Sequence, residues 1–467
     1  MVVMIETKFV RTPLFDRIRS YASNPKHPFH MPAHCGGRGI HPELLSYFGE
    51  NTFKADLTEL DELDNYHEPE NVIKETQEKI AEIFNARKSF MLINGSTVGI
   101  MTLMMALAGD GDKIICNRNA HRSIINGLVL TGAVPVWYLP EWLEDYEVFG
   151  PVLPETIETA LSQNADAKAV FITNPTYEGV ISNIHAISKI CNSYSVPLIV
   201  DEAHGAHWNF SDMLPHNAIE LGADASVQSM HKSGGSLSQS SLLHIARESA
   251  LSDTRVEEIL RLLQSTSPSY LLLASLDAAT SYLASVEGRE ILENTIDLAI
   301  NLKNELDQLN NVNLLKPSSL FSLDPTRIFV SLKNLSGKRL ADVIEDKYHI
   351  AIESYNNKGN LFFINIGNTA EEVNYLFETL KKIANSDIIE HIKSVPVPVL
   401  PEMVMAPRAA YFAEYEKVLF KFARGKIARY PRVKCPPGVS MMIPGERITA
   451  YHDYFFDPEL EIEVVKS

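Results

Sequence analysis

The sequence contains little cysteine and fewer basic than acidic residues, and both features exclude classes of protein. The four cysteines (Cys35, Cys116, Cys191 and Cys435) are scattered over 467 residues and form no C-x-x-C pair. This spacing argues against a disulfide framework and against a cysteine-rich zinc site. The chain has 59 acidic and 42 basic residues, a formal net charge of -17. Nucleic-acid binding needs a basic surface, so we expect no nucleic-acid partner.

Long apolar segments are also missing. The most apolar stretch, from Gly99 to Gly109, is too short to span a bilayer and is typical of a buried helix. The first residues, MVVMIETKFVRTP, do not combine a basic segment with a long apolar core as a signal peptide does. These features predict a cytoplasmic protein that does not associate with membranes.

Turn signals and apolar periodicity divide the chain into four segments. Residues 1–64 are rich in turn signals and predict an N-terminal arm. Residues 65–295 alternate apolar strands with helices and predict a large α/β domain, and residues 296–390 predict a smaller α+β domain. Residues 391–467 begin with a proline-rich stretch and form a C-terminal region. A chain of this length can bury more than one core.

Polar clusters follow the predicted strands of the large domain at the point where each strand ends. Short apolar strands separated by helices predict a mostly parallel sheet that is buried on both faces. In such sheets ligands lie beyond the carboxyl ends of the strands. We therefore expect one shared site formed by the segments after these strands: Asn94-Gly95-Ser96-Thr97, Asn174-Pro175-Thr176, Asp201-Glu202-Ala203-His204 and Ser229-Met230-His231-Lys232.

Lys232 directly follows an apolar strand and is flanked by serine, histidine and glycine. A lysine in a site forms a Schiff base when its amine is accessible and its pKa is lowered. The neighbouring hydroxyl groups and glycines suit a phosphate. Taken alone, however, this segment is more typical of a surface loop that carries a lysine.

Asp201 ends another buried strand and begins the segment Asp-Glu-Ala-His-Gly-Ala-His. A buried acid usually needs a cationic partner, and the pyridinium nitrogen of pyridoxal phosphate is one. A zinc or iron site formed by Asp201, His204 and His207 is an alternative. A capping aspartate with two core histidines is a third interpretation, and the segment alone does not separate the three.

Two further segments have a structural and a functional interpretation. Residues Asn94-Gly95-Ser96-Thr97 suit a phosphate at a helix N-terminus, although an ordinary helix cap has the same composition. The segment has neither the lysine nor the spacing of a P-loop. His121 follows a strand and would stack on an aromatic cofactor or cap a helix. A phosphate cradle, an acid and a lysine on successive strand ends together supply what a pyridoxal-phosphate site requires.

At this point the sequence resembles the Orn/Lys/Arg decarboxylase family of fold-type-I pyridoxal-phosphate enzymes, in particular its short bacterial form. The resemblance covers nearly the whole chain. The sequence has no counterpart of the N-terminal wing domain that the long family members carry. It rests on the stretch from Asp56-Leu-Thr-Glu-Leu60 through Leu63-Asp64, and on Asn94-Gly-Ser-Thr97, Asn117-Arg-Asn-Ala-His121, Asn174-Pro-Thr-Tyr-Glu-Gly179, Asp201-Glu-Ala-His-Gly-Ala-His207, Ser229-Met-His-Lys232 with Ser238-Gln239, Gln264-Ser-Thr-Ser-Pro-Ser-Tyr270, Ala274-Ser-Leu-Asp277, Pro436-Pro-Gly438 and Pro444-Gly-Glu446.

The resemblance implies a seven-stranded, mostly parallel sheet and a role for each residue of the cofactor site. Lys232 would be the Schiff-base lysine, and Asp201 would pair with the pyridine nitrogen. His121 and Ala203 would flank the ring, and His204 would lie near the phenolic oxygen. The implied phosphate-binding groups are Gly95, Ser96, Thr97, Ser229 and His231, with backbone amides.

The resemblance also implies a reaction, a substrate class and an assembly. The chain would decarboxylate arginine, lysine or ornithine, and Lys232 or His231 would reprotonate Cα. Arginine is our preferred substrate because short forms of this family often serve polyamine synthesis. Glu446 would bind the distal cationic group of the substrate. Ser267 or Ser269 would reach the cofactor of a neighbouring subunit in a homodimer or tetramer.

Three other functions remain open from the sequence. An aminotransferase or lyase on the same fold needs the same Lys232 and Asp201. A metallohydrolase would use Asp201, His204 and His207, and a non-catalytic relative would need neither the lysine nor the acid. One departure from the family pattern is Pro32-Ala33-His34-Cys35, which lacks the glycine and the basic residue of the family's Pro-Gly-His-Lys-type segment.

Overall fold

The computed structural model describes residues 10–333, 335–386, 390, 394–434 and 438–466. Its α-helices are α1 (Pro13–Ser23), α2 (Pro42–Phe48), α3 (Glu50–Ala55), α4 (Val72–Ile83), α5 (Gly95–Leu107), α6 (Arg122–Thr131), α7 (Pro154–Gln163), α8 (Ile184–Ser193), α9 (Met230–Ser233), α10 (Asp253–Leu263), α11 (Tyr270–Ala284), α12 (Val286–Asp307), α13 (Gly337–Tyr348), α14 (Ala370–Ala384) and α15 (Pro407–Phe412).

The strands alternate with these helices through most of the chain. They are β1 (Lys88–Leu92), β2 (Lys113–Asn117), β3 (Val134–Tyr138), β4 (Trp142–Leu143), β5 (Val148–Phe149), β6 (Ala169–Thr173), β7 (Val180–Ile181), β8 (Leu198–Asp201), β9 (Ala225–Gln228), β10 (Ser241–Ile245), β11 (Val312–Leu314), β12 (Ser322–Leu323), β13 (Arg327–Leu332), β14 (Ser354–Tyr355), β15 (Gly359–Phe363), β16 (Tyr415–Leu419), β17 (Arg432–Lys434), β18 (Val439–Met442) and β19 (Glu461–Val465).

A seven-stranded sheet of order β1-β10-β9-β8-β6-β2-β3 forms the centre of the large domain. Strands β9, β8, β6, β2 and β3 are parallel, and β10 is antiparallel to both of its neighbours. Because β10 reverses direction between β9 and β1, the carboxyl end of β1 lies at the same edge as those of the parallel strands. This topology confirms the predicted mostly parallel sheet and places the polar segments after the strands at one edge.

Alternate residues of the central strands pack on opposite faces of the sheet. Ile115 and Val170 belong to a buried cluster with residues of α7 and α8. Cys116 and Phe171 belong to a second cluster with residues of α5 and α6. Side chains alternate across a strand, so each face receives a continuous apolar layer. The sheet is therefore buried on both faces, as the apolar strand sequences predict.

Helix α12 connects the large domain with the small one. Its first half contributes Leu292 and Ile296 to the core that contains α4 and α11. Its second half contributes Leu302 and Leu306 to the core beneath the antiparallel sheet β11-β13-β15-β14. The expected domain boundary at residue 296 thus lies inside a continuous helix.

The N-terminal arm is anchored to the large domain by buried polar contacts. The backbone N–H groups of Leu14 and Phe15 donate to Asp277 Oδ2 at 2.9 and 3.1 Å. Lys79 forms a buried ion pair with the same carboxylate, and its Nζ also contacts Ser281. These contacts give partners to backbone N–H groups in the first turn of α1 and fix α1 against α4 and α11.

The C-terminal region forms a small unit that packs on the large domain. Strands β16 and β19 pair in antiparallel fashion and bury Ile462 and Val464 with Phe420 and Met442. Pro436 and Pro437, on which part of the family resemblance rests, lie outside the described residues. Within the described ranges, no helix has the length and apolar character needed to cross a membrane.

Candidate active site

A cavity of about 910 Å³ opens at the edge of the sheet where β1, β2, β6, β8 and β9 end. Residues of the small domain and of the C-terminal region complete its wall, including Ser354 and Tyr451. Ten of the predicted cofactor-site residues line this cavity: Gly95, Ser96, Thr97, His121, Asp201, Ala203, His204, Ser229, His231 and Lys232. The structure thus brings together residues that are separated by up to 137 positions in the chain (232 minus 95).

Lys232 lies in the short helix α9, directly after β9. Its Nζ is 3.1 Å from Nε2 of His204. Burial lowers the pKa of Lys232, and the nearby carboxylates of Asp201 and Glu353 oppose this effect. The lowered pKa increases the fraction of neutral amine near neutral pH, and the neutral amine is the nucleophilic form.

His204 is a buried histidine that contacts the lysine. Burial, and next the positive charge of Lys232, hold the pKa of His204 well below its ordinary value. The imidazole is therefore neutral, and Nε2 can accept a hydrogen bond from the Lys232 amine. Its Nδ1 has no hydrogen-bond partner within the described part of the chain. The edge of Tyr177 packs on the His204 ring with 4.9 Å between ring centroids, and this contact fixes the orientation of the imidazole.

Asp201 is the last residue of β8 and is 6% exposed. Its Oδ1 accepts a 3.3 Å hydrogen bond from the backbone N–H of Ala203. No lysine, arginine or histidine forms an ion pair with it among the residues that the structure describes. A buried carboxylate without a protein cation is costly, so this geometry suits a cationic group of a ligand.

His121 caps helix α6 and faces the same cavity. Its Nδ1 accepts a 3.2 Å hydrogen bond from the backbone N–H of Ser123. Burial lowers the pKa of His121, and the charge of Asp201 opposes this effect. Gly438 has a φ of +88°, and a Cβ at this position would lie 2.7 Å from the His121 ring. Close approach of the C-terminal region to the ring therefore requires a glycine at position 438.

The segment after β1 and the end of β9 supply a set of hydrogen-bond donors. Gly95 has a φ of +74° and begins α5, so the amides of Ser96 and Thr97 lie in the first turn of a 13-residue helix. The Ser229 hydroxyl is fully buried and has no partner among the described residues. Free amides and hydroxyl groups at a helix N-terminus suit a phosphate.

His231 is held by a backbone contact at the edge of the cavity. Its Nδ1 donates to the carbonyl oxygen of Ser240 at 2.8 Å. Burial lowers the pKa of His231, whereas the Ser240 carbonyl opposes this effect. With Nδ1 engaged in this way, Nε2 is the ring nitrogen that remains for a ligand.

Two of the predicted site residues do not lie in the cavity of their own chain. Glu446 is completely buried and forms a two-pronged ion pair with Arg118 at 2.8 and 2.9 Å, so its carboxylate does not face a substrate. The structure thus gives Glu446 a structural contact with Arg118 and places it outside the residues that line the cavity, and its role in substrate binding stays a prediction. Ser267 is solvent-exposed on the loop between α10 and α11, so its predicted contact would have to be with another subunit.

The geometry does not support the metal-site alternative. Nε2 of His207 is 3.2 Å from Oδ2 of Asp324, on the side of the small domain, and it does not join Asp201 and His204 in the cavity. No group of three or more histidine, cysteine, aspartate or glutamate side chains is placed to hold a metal ion in the described ranges.

Several lining residues were not predicted from the sequence. They come from the β4–β5 hairpin, the small domain and the C-terminal region, and include Trp142, Glu147, Phe149, Tyr355, Asn356, Tyr451 and Phe455. Tyr177 lies in one of the family-like segments, and its hydroxyl donates to Glu353 of the small domain. The two-residue strands β4 and β5 are too short for periodicity to reveal them.

Comparison with known proteins agrees with the family resemblance along most of the chain. The profile of the Orn/Lys/Arg decarboxylase major domain matches residues 12–351, and that of the C-terminal domain matches residues 390–457. The arginine decarboxylase of Bacillus subtilis is 37% identical over 449 residues, which cover 94% of this chain and 91% of that protein. The arginine decarboxylase of Halalkalibacterium halodurans is 38% identical over 453 residues, with the same coverage.

Solved structures show the same architecture. The lysine decarboxylase of Francisella novicida superimposes with a TM-score of 0.86 at 21% identity, over 98% of this chain and 81% of that one. This likeness extends from the large domain through the small domain to the C-terminal region. The match of the major-domain profile, the identity with the two arginine decarboxylases and the shared fold show that the chain belongs to the Orn/Lys/Arg decarboxylase family.

Proposed function

We propose that the chain decarboxylates L-arginine to agmatine and carbon dioxide with pyridoxal phosphate bound in the cavity around Lys232. The observation that carries the proposal is that Lys232, Asp201 and the segment Gly95 to Thr97 line one cavity. Arginine is preferred over lysine and ornithine because relatives named arginine decarboxylase are 34–38% identical over most of the chain. A relative named lysine decarboxylase, from Pseudomonas aeruginosa, is 23% identical.

The residues of the cavity fit pyridoxal phosphate. The cofactor presents an aldehyde, a ring nitrogen and a phosphate, and the cavity offers an amine, an unpaired carboxylate and free donors. Lys232 would hold the aldehyde carbon, and Asp201 would hold a proton at the ring nitrogen. The flat ring would lie between His121 and the small Ala203. The phosphate would bind Ser96, Thr97 and the unpartnered hydroxyl of Ser229, together with backbone amides and His231.

The protein groups have defined tasks in the proposed reaction. When bound, the cofactor supplies a sink for the electron pair that remains at Cα as carbon dioxide leaves. Asp201 stabilises this sink because a buried carboxylate retains the proton of the ring nitrogen. Lys232 is suited to return a proton to Cα, since its amine is 3.1 Å from a neutral His204 that can orient it. His231 is less suited to this step, because its Nδ1 proton is donated to Ser240 and its lowered pKa leaves Nε2 without a proton.

An aminotransferase on the same fold is the competing proposal, because it would need the same lysine and aspartate. The family assignment favours decarboxylation, since both the major-domain and the C-terminal-domain profiles match. Product analysis separates the two reactions. Carbon dioxide and agmatine in equal amounts would support the proposal, and formation of a keto acid would contradict it.

We also propose that the active form is a homodimer or a higher assembly of dimers. The N-terminal arm exposes several large apolar side chains: Phe29 at 100%, Met31 at 65%, Tyr47 at 85% and Phe48 at 55%. Exposed apolar surface of this kind is typical of a subunit interface. A partner would also explain the predicted role of Ser267, whose exposed side chain is free to reach another subunit. Light scattering on the purified protein tests the assembly state.

The first experiment is an absorption spectrum of the protein with bound cofactor, before and after reduction with borohydride, followed by peptide mapping. We expect a visible band that reduction removes and a reduced adduct on Lys232. A protein that takes up no added pyridoxal phosphate, or an adduct on another lysine, would contradict the proposed cofactor site. Release of carbon dioxide from arginine, lysine and ornithine then identifies the substrate.

A further inference from the structure

The His204 imidazole, which contacts the amine of Lys232, packs against two aromatic rings. Tyr177, between β6 and β7, meets it edge to face with 4.9 Å between ring centroids, and Phe363 of β15 meets it with 5.8 Å. The rings of Tyr177 and Phe363 also contact each other, with their centroids 5.7 Å apart. Because Nδ1 of His204 has no hydrogen-bond partner among the described residues, these ring contacts set the plane of the imidazole.

The small domain supplies groups that hold this cluster of rings from the other side of the cavity. Glu353, directly before β14, accepts a hydrogen bond through Oε1 from the hydroxyl of Tyr177. The guanidinium of Arg327 in β13 lies 3.9 Å from the ring centroid of Phe363. It also donates to the carbonyl oxygen of His204 at 3.5 Å. Residues of both domains therefore determine where the His204 ring lies.

The position of this ring affects the chemistry of Lys232. Nε2 of the neutral His204 imidazole is 3.1 Å from Nζ of Lys232. When the amine is protonated, an acceptor at this distance stabilises its charge. When the amine is neutral, the same contact binds one N–H group and so fixes the direction of the lone pair that attacks an aldehyde. A displaced His204 would change both properties.

The groups that surround the amine act on its charge in opposite directions. Burial lowers the pKa of Lys232, and the carboxylates of Asp201 and Glu353 oppose this effect. The guanidinium of Arg327 adds to the lowering. Three histidines also lie near the amine, and burial lowers the pKa of each of them: His121, His204 and His231. A variant that moves the His204 ring without changing any charge therefore isolates the contribution of the hydrogen bond.

We propose that Tyr177 is a positioning residue that holds the His204 imidazole against the amine of Lys232, and that Glu353 of the small domain holds Tyr177 in this place through its hydroxyl. The inference deepens the proposed function and rests on it, since the reaction proposed there uses the Lys232 amine. The small domain thereby takes part in the chemistry of a lysine that belongs to the large domain.

The test measures the ionisation of Lys232 in the full-length apoprotein by labelling with acetic anhydride between pH 6 and 11, followed by peptide mapping. Tyr177→Phe keeps the ring and removes the hydroxyl that donates to Glu353. Glu353→Gln keeps an oxygen that accepts this hydrogen bond, whereas Glu353→Leu removes it. Tyr375→Phe is the matched control, because Tyr375 on α14 is 49% exposed and its hydroxyl donates to the carbonyl oxygen of Tyr348 at 3.2 Å.

We expect Tyr177→Phe to move the labelling midpoint of Lys232 about 1 pH unit lower, because the ammonium form loses a hydrogen bond to His204. The same shift should appear when Tyr177→Phe is added to Glu353→Gln, and it should be absent when it is added to Glu353→Leu. Tyr375→Phe should label as wild type does.

Two results would overturn the positioning role. One is a midpoint that Tyr177→Phe leaves unchanged or shifts equally in the Glu353→Leu protein. The other is a midpoint that rises, because a general loosening of the site would relieve the burial that lowers the pKa of Lys232. Addition of pyridoxal phosphate and reduction with borohydride test the proposed function separately. If wild type forms no reduced adduct on Lys232, the proposed cofactor site is wrong, and the labelling midpoints still decide the role of Tyr177.

Discussion

At the scale of single residues, the site depends on one lysine whose pKa is lowered by burial. Lys232 would both hold the cofactor and move a proton, and general acid–base catalysis alone contributes about 10²–10⁴-fold to a rate. We therefore expect Lys232→Ala to reduce carbon dioxide release from arginine to below about 1% of the wild-type rate. Circular dichroism controls for folding. A correctly folded variant with substantial turnover would refute the assignment of Lys232.

The carboxylate of Asp201, which lines the same cavity as Lys232, should affect the rate of decarboxylation and leave cofactor binding largely intact. Asp201→Asn keeps the size of the side chain but removes the charge that holds the proton at the cofactor's ring nitrogen. We expect the variant to retain bound pyridoxal phosphate and to lose kcat by about 100-fold or more, as for loss of one preorganised electrostatic contact. Cofactor content is measured by absorbance and kcat by agmatine formation. A wild-type kcat would show that Asp201 does not support the electron sink.

Most of the cofactor site could be predicted from the sequence because its residues directly follow strands. Strand ends of a parallel sheet meet at one edge, so Ser96, Asp201 and Lys232 could be grouped without coordinates. The contact of Glu446 with Arg118 could not be predicted, because a sequence does not show that two residues 328 positions apart form an ion pair. Trp142 was missed because it lies in a short hairpin, where no periodicity marks the position.

At the scale of secondary-structure elements, a chain of buried polar groups connects β8, β9 and β10. Glu202 follows β8 and accepts hydrogen bonds from the Ala218 amide and from Gln228 Nε2 at 2.8 and 2.7 Å. Gln228 in β9 contacts His244 in β10, and His244 contacts Ser89 in β1. Burial raises the pKa of Glu202 to about 8 and lowers that of His244 to about 3. Both side chains are therefore largely uncharged at neutral pH.

This chain of contacts predicts a pH dependence of stability. The pKa of Glu202 rises from 4.5 to about 8 on folding, so the folded state binds the proton more tightly than the unfolded state. The stabilisation by this proton is complete below pH 4.5 and is lost as the pH rises through about 8, an effect on the order of 5 kcal/mol. We expect Glu202→Gln, which cannot ionise, to lose less Tm than wild type between pH 5 and 8. Glu293→Gln, at an exposed position of α12, is the control. Parallel Tm curves for all three proteins would argue against a buried neutral Glu202.

Helices and strands could be predicted from the sequence where a regular apolar pattern extends over many residues. Residues 70–84 carry apolar side chains at helical spacing, which predicts a helix, and the structure has α4 (Val72–Ile83) there. The predicted strands before each polar segment are all present. The antiparallel strand β10 was not predicted because Ser241–Ile245 begins with a serine and includes a histidine, which interrupt the apolar run. The apolar stretch of residues 248–287 predicts helical structure, and the structure divides it into α10 and α11 at the loop Gln264–Ser269.

At the scale of the whole molecule, the cavity depends on contact between the major domain and the C-terminal region. Arg118 follows β2 and donates to the carbonyl oxygen of Ser440 at 2.6 Å as well as to Glu446. The neighbouring Val439 and Met441 line the cavity. The Arg118–Glu446 pair therefore fixes one wall of the site without contacting the substrate. The C-terminal region was recognised from sequence motifs, but its role as a wall depends on packing that no motif encodes.

The last prediction separates this structural role of Glu446 from a role in substrate binding. Glu446→Ala leaves the buried guanidinium of Arg118 without its partner and should lower the free energy of unfolding by about 3–5 kcal/mol. The double variant Arg118→Met/Glu446→Leu removes both charges and should recover most of this stability, since a well-packed apolar pair can replace a buried ion pair. If the Arg118–Glu446 pair only supports the cavity wall, the KM for arginine should recover together with stability. Stability is measured by urea denaturation, and KM by agmatine formation. A double variant that regains stability but keeps a strongly raised KM would contradict the expectation that the pair affects the site only by stabilising its wall.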